Sequence, residues 1–130
     1  MTAGVLFDTC AWIDFLRYPD GILGDLMATA IEDDKALLCG VVMTELLQGA
    51  KGKKENRQLD LIFSTIKSLP CEEVVWHEAG LILQDLKHKG ITVPLTDALI
   101  AVIAKRHRVD VVTLDKHFKH LPVVVINPLA

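Results

Sequence analysis

Asp8, Glu45, Asp97 and Asp115 are the residues of this 130-residue chain whose types and placement suit chemistry. Asp8 directly follows the apolar run Val5-Leu6-Phe7, and Asp115 follows Val111-Val112-Thr113-Leu114. Glu45 falls in the first turn of a helix predicted after a second strand, and Asp97 in the first turn of another. Open parallel sheets place their sites at the carboxyl ends of strands, so four acids far apart in sequence can converge on one rim. Carboxylates a few ångströms apart repel and raise one another's pKa, and a divalent cation removes that penalty. Oxygen ligands without paired histidines suit Mg2+, with Mn2+ as a substitute, better than Zn2+. Such an ion neutralises an incoming phosphate, activates a water and stabilises the leaving oxygen. The implied reaction is phosphodiester hydrolysis by a metal-activated water. Each acid also has a purely structural account: Asp8 as a turn residue, Glu45 and Asp97 as complements to helix dipoles worth ~0.3–1 kcal/mol each, Asp115 as a helix cap. The residue pattern alone leaves both accounts open.

The elements that must position these acids alternate. Val5–Phe7 reads as a strand that stops at Asp8, and Trp12, Ile13 and Leu16 follow at helical spacing until Pro19. Ile22, Leu23, Leu26, Met27 and Ala30 stripe a second helix. Ala36 to Val42 reads as a strand, and Met43, Leu46, Leu47 and Ala50 as a third helix. The polar, basic stretch Lys51 to Arg57 reads as a connection, before a fourth helix on Leu59, Ile62, Phe63 and Ile66. Glu72 to Val75 reads as a short edge strand, and Ala79, Ile82, Leu83 and Leu86 as a fifth helix stopped by Gly90. Thr96 is expected to cap a sixth helix that is apolar on nearly all sides from Ala98 to Ala104, the pattern of a helix buried mid-domain. Val111 to Leu114, Lys116 to His120 and Val123 to Ile126 complete the chain as strand, short helix and strand. Strands that are continuous apolar runs between helices predict an α/β fold, one domain over residues 1–130, with a parallel sheet covered on both faces.

Composition narrows the function classes. Apolar residues make up 51% of the chain and mean hydropathy is +0.34, which excludes a disordered chain. The longest apolar run, Ala98 to Ala104, falls far short of the ~20 residues of a spanning helix, so no membrane association is expected. The first residues lack the basic-then-apolar pattern of a secretory signal, so none is expected. Three cysteines, an odd count without a C-x-x-C pair, point to reduced thiols and a cytoplasmic location. A net charge of -3 offers no global basic field for nucleic acid, so an RNA substrate requires the acids to be masked by metal.

The same residues carry a family resemblance. Val5-Leu6-Phe7-Asp8-Thr9-Cys10 with Trp12-Ile13, Thr44-Glu45-Leu46-Leu47-Gln48-Gly49-Ala50, Pro94-Leu95-Thr96-Asp97-Ala98-Leu99-Ile100-Ala101 and Val112-Thr113-Leu114-Asp115-Lys116-His117-Phe118 resemble, in order, the four acidic motifs of PIN-domain nucleases of the VapC-type toxin branch. The likeness runs from near residue 4 to near residue 126. It implies a PIN fold with a five-stranded parallel sheet. It also implies Mg2+ held mainly by Asp8 and Asp97 with support from Glu45 and Asp115. It further implies cleavage of RNA, restraint by a cognate antitoxin, and homodimerisation. Thr9 and Thr113 would add hydroxyls to the site, or serve only as strand-end hydrogen-bonding residues. Cys10 stands where the family often has a small polar residue. A groove among the first four helices would accept an amphipathic antitoxin segment.

Lys53 and Lys54, with Lys51 and Arg57, make a basic cluster that meets RNA phosphates or simply solvates a loop. Lys116 lies nearer the acids and is the better phosphate contact. Lys105, Arg106 and Arg108 close the sixth helix at the end opposite Asp97 and are not assigned to the site. His117 and His120 lack further ligands for zinc and are expected on the surface. Trp12 and Trp76 are expected to pack, and Phe118 to anchor the last short helix. Two other functions compete. A Mg2+-binding phospho-receiver shares the length and acid cluster, but the last strand runs into Asn127-Pro128 without the lysine such a domain needs. A PIN-like module that binds RNA or a partner without cutting has no need of all four acids.

Overall fold

The computed structural model describes residues 4–128; the outermost residues of the expected 1–130 domain lie outside that span. Five parallel strands, β1 (Val5–Phe7), β2 (Ala36–Cys39), β3 (Lys67–Leu69), β4 (Asp110–Val112) and β5 (Val125–Ile126), form one sheet in the order β3-β2-β1-β4-β5. Six helices lie between them: α1 (Thr9–Arg17), α2 (Ile22–Glu32), α3 (Gly40–Gly49), α4 (Lys53–Thr65), α5 (Glu73–His88) and α6 (Leu95–Arg106). A 3-10 turn, Lys116–His120, precedes β5. This is an α/β fold built on one parallel sheet, as the apolar strand runs predict. The chain winds outward from β1 to β2 and β3, then returns to β4 on the other side of β1. The topological switch therefore lies between the C-terminal ends of β1 and β4, where open sheets hold their ligands. Leu6 pairs with Leu37 on one side and Val111 on the other, and the amide of Asp8 extends the ladder by donating to Val112 O at 2.9 Å. No helix among the described residues is long and apolar enough to cross a membrane.

The core explains the apolar runs. Leu6, Phe7, Leu38, Val111 and Val112 are buried in the central strands. Eight consecutive residues of α6, Asp97 to Ala104, are buried, as its all-round apolarity predicts. Trp12 is fully buried edge-on to Phe7 and Phe15, with ring centroids 6.0 and 6.2 Å away. Trp76, expected to pack, is 53% exposed instead.

Several boundaries differ from the sequence expectation. β2 ends at Cys39, and α3 starts at Gly40, so Glu45 sits in the second turn of its helix rather than the first. The β-branched pair Val41-Val42 suggested strand. The edge strand is Lys67–Leu69, and Glu73 onward is helix: Val75, Ala79, Leu86 and their neighbours continue one helical stripe. An edge strand with two exposed residues of three carries almost no apolar signal. Lys53, Lys54 and Arg57 belong to the first turns of α4, not to a connection; Gly52 at φ 148° opens that helix and Glu55 reaches back to the amide of Lys51. Thr96 does not cap α6, which starts after Pro94 without a side-chain cap. β4 and β5 are shorter than expected.

The α1–α2 corner is closed by Gly24, where a Cβ would sit 2.1 Å from Pro19 O. That contact is with backbone and cannot rotate away. Gly24→Ala is therefore expected to lower stability by roughly 1–3 kcal/mol, read as a drop in the denaturant midpoint at unchanged slope.

Candidate active site

β1 delivers Asp8 as the N-cap of α1. Its Oδ1 accepts from the Thr9 amide at 2.7 Å, and its Oδ2 accepts from the Thr113 hydroxyl at 2.8 Å and the Cys10 thiol at 3.4 Å. Thr113, one residue past β4, is buried, and its hydroxyl oxygen also accepts from the Asp115 amide at 2.9 Å. One hydroxyl thus ties the ends of β1 and β4 together. The Thr9 hydroxyl donates to Glu45 Oε1 at 2.7 Å, linking α1 to α3. Asp115 caps the 3-10 turn, accepting from the His117 amide at 2.9 Å, while His117 Nδ1 lies 2.8 Å from the same oxygen. Asp97 enters from the first turn of α6. It is 7% exposed, and its Oδ2 is buried without a hydrogen-bond partner, with His117 Nδ1 3.5 Å away.

The four expected acids share one electrostatic environment. Burial pushes the Asp8 carboxyl above the usual range and Glu45 adds to this; the hydrogen bonds from Thr113, Thr9 and Cys10 oppose it. Asp97 is pushed up to about 7, first by burial, then by the charges of Asp8 and Asp115, with His117 opposing and Glu45 adding. A buried carboxylate oxygen with no donor among like charges is a costly arrangement. It fits a cation: the set is anionic, oxygen-rich and has an unused lone pair pointing into it. Ligand atoms of Asp97, Asp115 and His117 all lie within 4.8 Å of one another.

A family model described as PIN domain matches residues 5–124. The chain belongs to the PIN domain family. No curated protein matches it. Among solved structures, this PIN domain is similar to FitAcB from Neisseria gonorrhoeae at 27% identity, over 96% of this chain and 98% of that one, with TM-score 0.74. It also resembles VapBC2 from Rickettsia felis, bound to a DNA fragment from their promoter, at 20% identity over 95% and 97% with TM-score 0.80. A third likeness is to Mycobacterium tuberculosis VapC20, a sarcin-ricin loop cleaving toxin, at 16% identity over 96% and 100% with TM-score 0.73. The last two are likenesses of fold.

The remaining expected residues of the PIN domain are spread around this centre. Lys116 is exposed at the start of the 3-10 turn, beside Asp115. Lys53 and Lys54 are exposed at the start of α4. That helix walls a groove of about 290 Å3 with α1 and α3, lined by Ile13, Leu16, Leu46 and Leu59 and reaching Glu45. Lys105 and Arg106, at the far end of α6, hold Glu78 of α5 at 2.9 and 3.1 Å and stay away from the acids. Phe118 is buried under the 3-10 turn, as expected.

Two residues at the centre were missed by reading the sequence. Cys10 donates to Asp8 and accepts from the Leu114 amide at 3.4 Å; burial, and then the charge of Asp8, push its thiol up. His117 is on the surface, as expected, yet it points one ring nitrogen between Asp97 and Asp115. The available signal was Asp-x-His: an N-cap aspartate folds back on the amide two residues along, which sets that residue's side chain beside the same carboxylate.

Proposed function

We propose that this PIN domain is a Mg2+-dependent endoribonuclease, the toxin of a toxin–antitoxin pair, with Asp8, Glu45, Asp97 and Asp115 as its metal-binding catalytic acids. The partnerless Oδ2 of buried Asp97, whose carboxyl is pushed up by the charges of Asp8, Asp115 and Glu45, carries the reading. Asp8 and Asp97 would hold the ion, with Mn2+ as a substitute, and Glu45 and Asp115 would position its waters. When bound, the cation supplies the positive charge that offsets the scissile phosphate and acidifies water. Thr113 fixes the Asp8 carboxylate through a 2.8 Å bond, and Thr9 fixes Glu45 through one of 2.7 Å, so both acids are oriented before any ion arrives. Lys116 beside Asp115, and Lys53 and Lys54 at the start of α4, would meet RNA phosphates.

The likeness in fold to VapBC2 and to the toxin VapC20 supports a toxin with an antitoxin partner, and a cytoplasmic place of action is part of the proposal. The groove beside Glu45, apolar at Ile13, Leu16, Leu46 and Leu59 and charged at Arg17, Lys51 and Glu55, suits an amphipathic antitoxin helix. The protein is proposed to act as a homodimer and as one domain across its 130 residues.

The purified chain, incubated with a pool of structured RNAs, is expected to cut with Mg2+ or Mn2+ and to stop with EDTA. RNA that stays intact across the pool with either ion would overturn the nuclease reading. A parallel melt tests the site itself. The melting temperature is expected to rise with free ion, by about 2.7 kcal/mol of stability at a hundred times Kd.

A further inference from the structure

We propose that His117 is a nitrogen ligand to the divalent cation at Asp97 and Asp115, and that it tilts the choice of ion there toward Mn2+ over Mg2+. The inference rests on the metal-site reading above and adds a ligand that the four acids do not supply.

His117 Nδ1 lies 2.8 Å from Asp115 Oδ1 and 3.5 Å from Asp97 Oδ2. The shorter contact is a good hydrogen bond; the longer one is not. A proton on Nδ1 therefore serves Asp115 and leaves Asp97 Oδ2, in a side chain only 10% exposed, without a donor. A cation in place of that proton satisfies all three atoms, which already lie within one ion's span, inside 4.8 Å of each other. The backbone that carries the ring is held in place. The His117 amide is pinned to Asp115 Oδ1, and the next residue, Phe118, is buried beneath the turn. The His117 side chain is 48% exposed, so its imidazole is free of core packing and can make the small shift that coordination requires.

The donor set then decides the ion. Mg2+ demands near-ideal octahedral oxygen coordination and dehydrates reluctantly. Imidazole is a ligand of transition metals, and Mn2+, the transition ion that shares the preference of Mg2+ for carboxylate and water oxygens, accepts one such nitrogen more readily than Mg2+ does.

The test uses the full chain without a histidine tag. Calorimetry gives Kd for Mn2+ and for Mg2+ in the native protein, His117→Gln and Asp97→Asn. In His117→Gln, Mn2+ affinity is expected to fall roughly tenfold or more, with Mg2+ affinity moving less than about threefold. Electron spin-echo modulation of bound Mn2+ is expected to show a directly coordinated 14N in the native protein that vanishes in His117→Gln. The spectrum of the native protein alone keeps the proposal testable should the variant misfold. Absence of nitrogen modulation, or equal changes for the two ions, would overturn the histidine assignment. If Mn2+ binding then still disappears in Asp97→Asn, the carboxylate site stands without His117. If the native chain binds neither ion, the metal-site reading and this inference fall together.

Discussion

Asp97→Asn is expected to abolish cation-dependent RNA cleavage while making the cation-free protein more stable at neutral pH. Loss of an outer partner of a metal ligand costs 10–100-fold, so losing a direct ligand should cost roughly a hundredfold or more. The stability gain follows from linkage. Burial and the charges of Asp8 and Asp115 raise the Asp97 carboxyl from 3.8 to about 7. Between those values the folded protein keeps a proton that the unfolded chain has released. Native stability therefore falls as pH rises through that window, and the deficit is complete above about 7. Asparagine carries no charge at any pH. Its advantage should be absent near pH 4 and reach a few kcal/mol at most near pH 8. Melts of both proteins in EDTA from pH 4 to 8 read this difference directly. A variant less stable than the native protein at pH 8 would contradict the strain placed on Asp97. Asp8→Asn gives the informative contrast. Asp8 already accepts three hydrogen bonds, so an amide there puts donors against donors; cleavage should be lost with no gain in stability.

Phe118→Ala should be the most damaging single change near the site. Phe118 is 1% exposed and wedges the 3-10 turn against α6. Truncating a buried phenylalanine costs about 3–5 kcal/mol, a large part of a small domain's stability. The melting temperature should drop by roughly 10–20 °C. The turn carries Asp115 at its cap and His117 in its first residues, so cation affinity should fall in the molecules that remain folded. Phe118→Leu keeps most of the volume and should cost roughly 1–2 kcal/mol, with most of the cation affinity retained. Equal melting temperatures for Phe118→Ala and the native protein would mean the turn is not anchored by this ring.

The strongly patterned elements were legible without coordinates. β1, the stripe of α2 and the wholly apolar α6 each announce themselves through apolar spacing, because burial on every side or on one face leaves few residue choices. Asp8 and Asp115 stood out because each follows an apolar run at the end where parallel strands hold their ligands, although both also serve as local caps, Asp8 for α1 and Asp115 for the 3-10 turn. The edge of the sheet was not legible. Lys67–Leu69 has one neighbouring strand and one buried side chain, so pairing with β2, rather than its own residues, makes it a strand.

By itself, the sequence determined that parallel strands would present Asp8 and Asp115 at their C-terminal ends, and that Asp97 would ride on a buried helix. Only the tertiary structure decided how these groups meet. Thr113 bridges β1 to β4, Thr9 ties α1 to α3, and His117 turns in between two carboxylates. Those are contacts across up to 105 residues of chain, and a hydrogen bond of that separation leaves no periodicity to read. It exists because the order β3-β2-β1-β4-β5 sets the ends of β1 and β4 side by side.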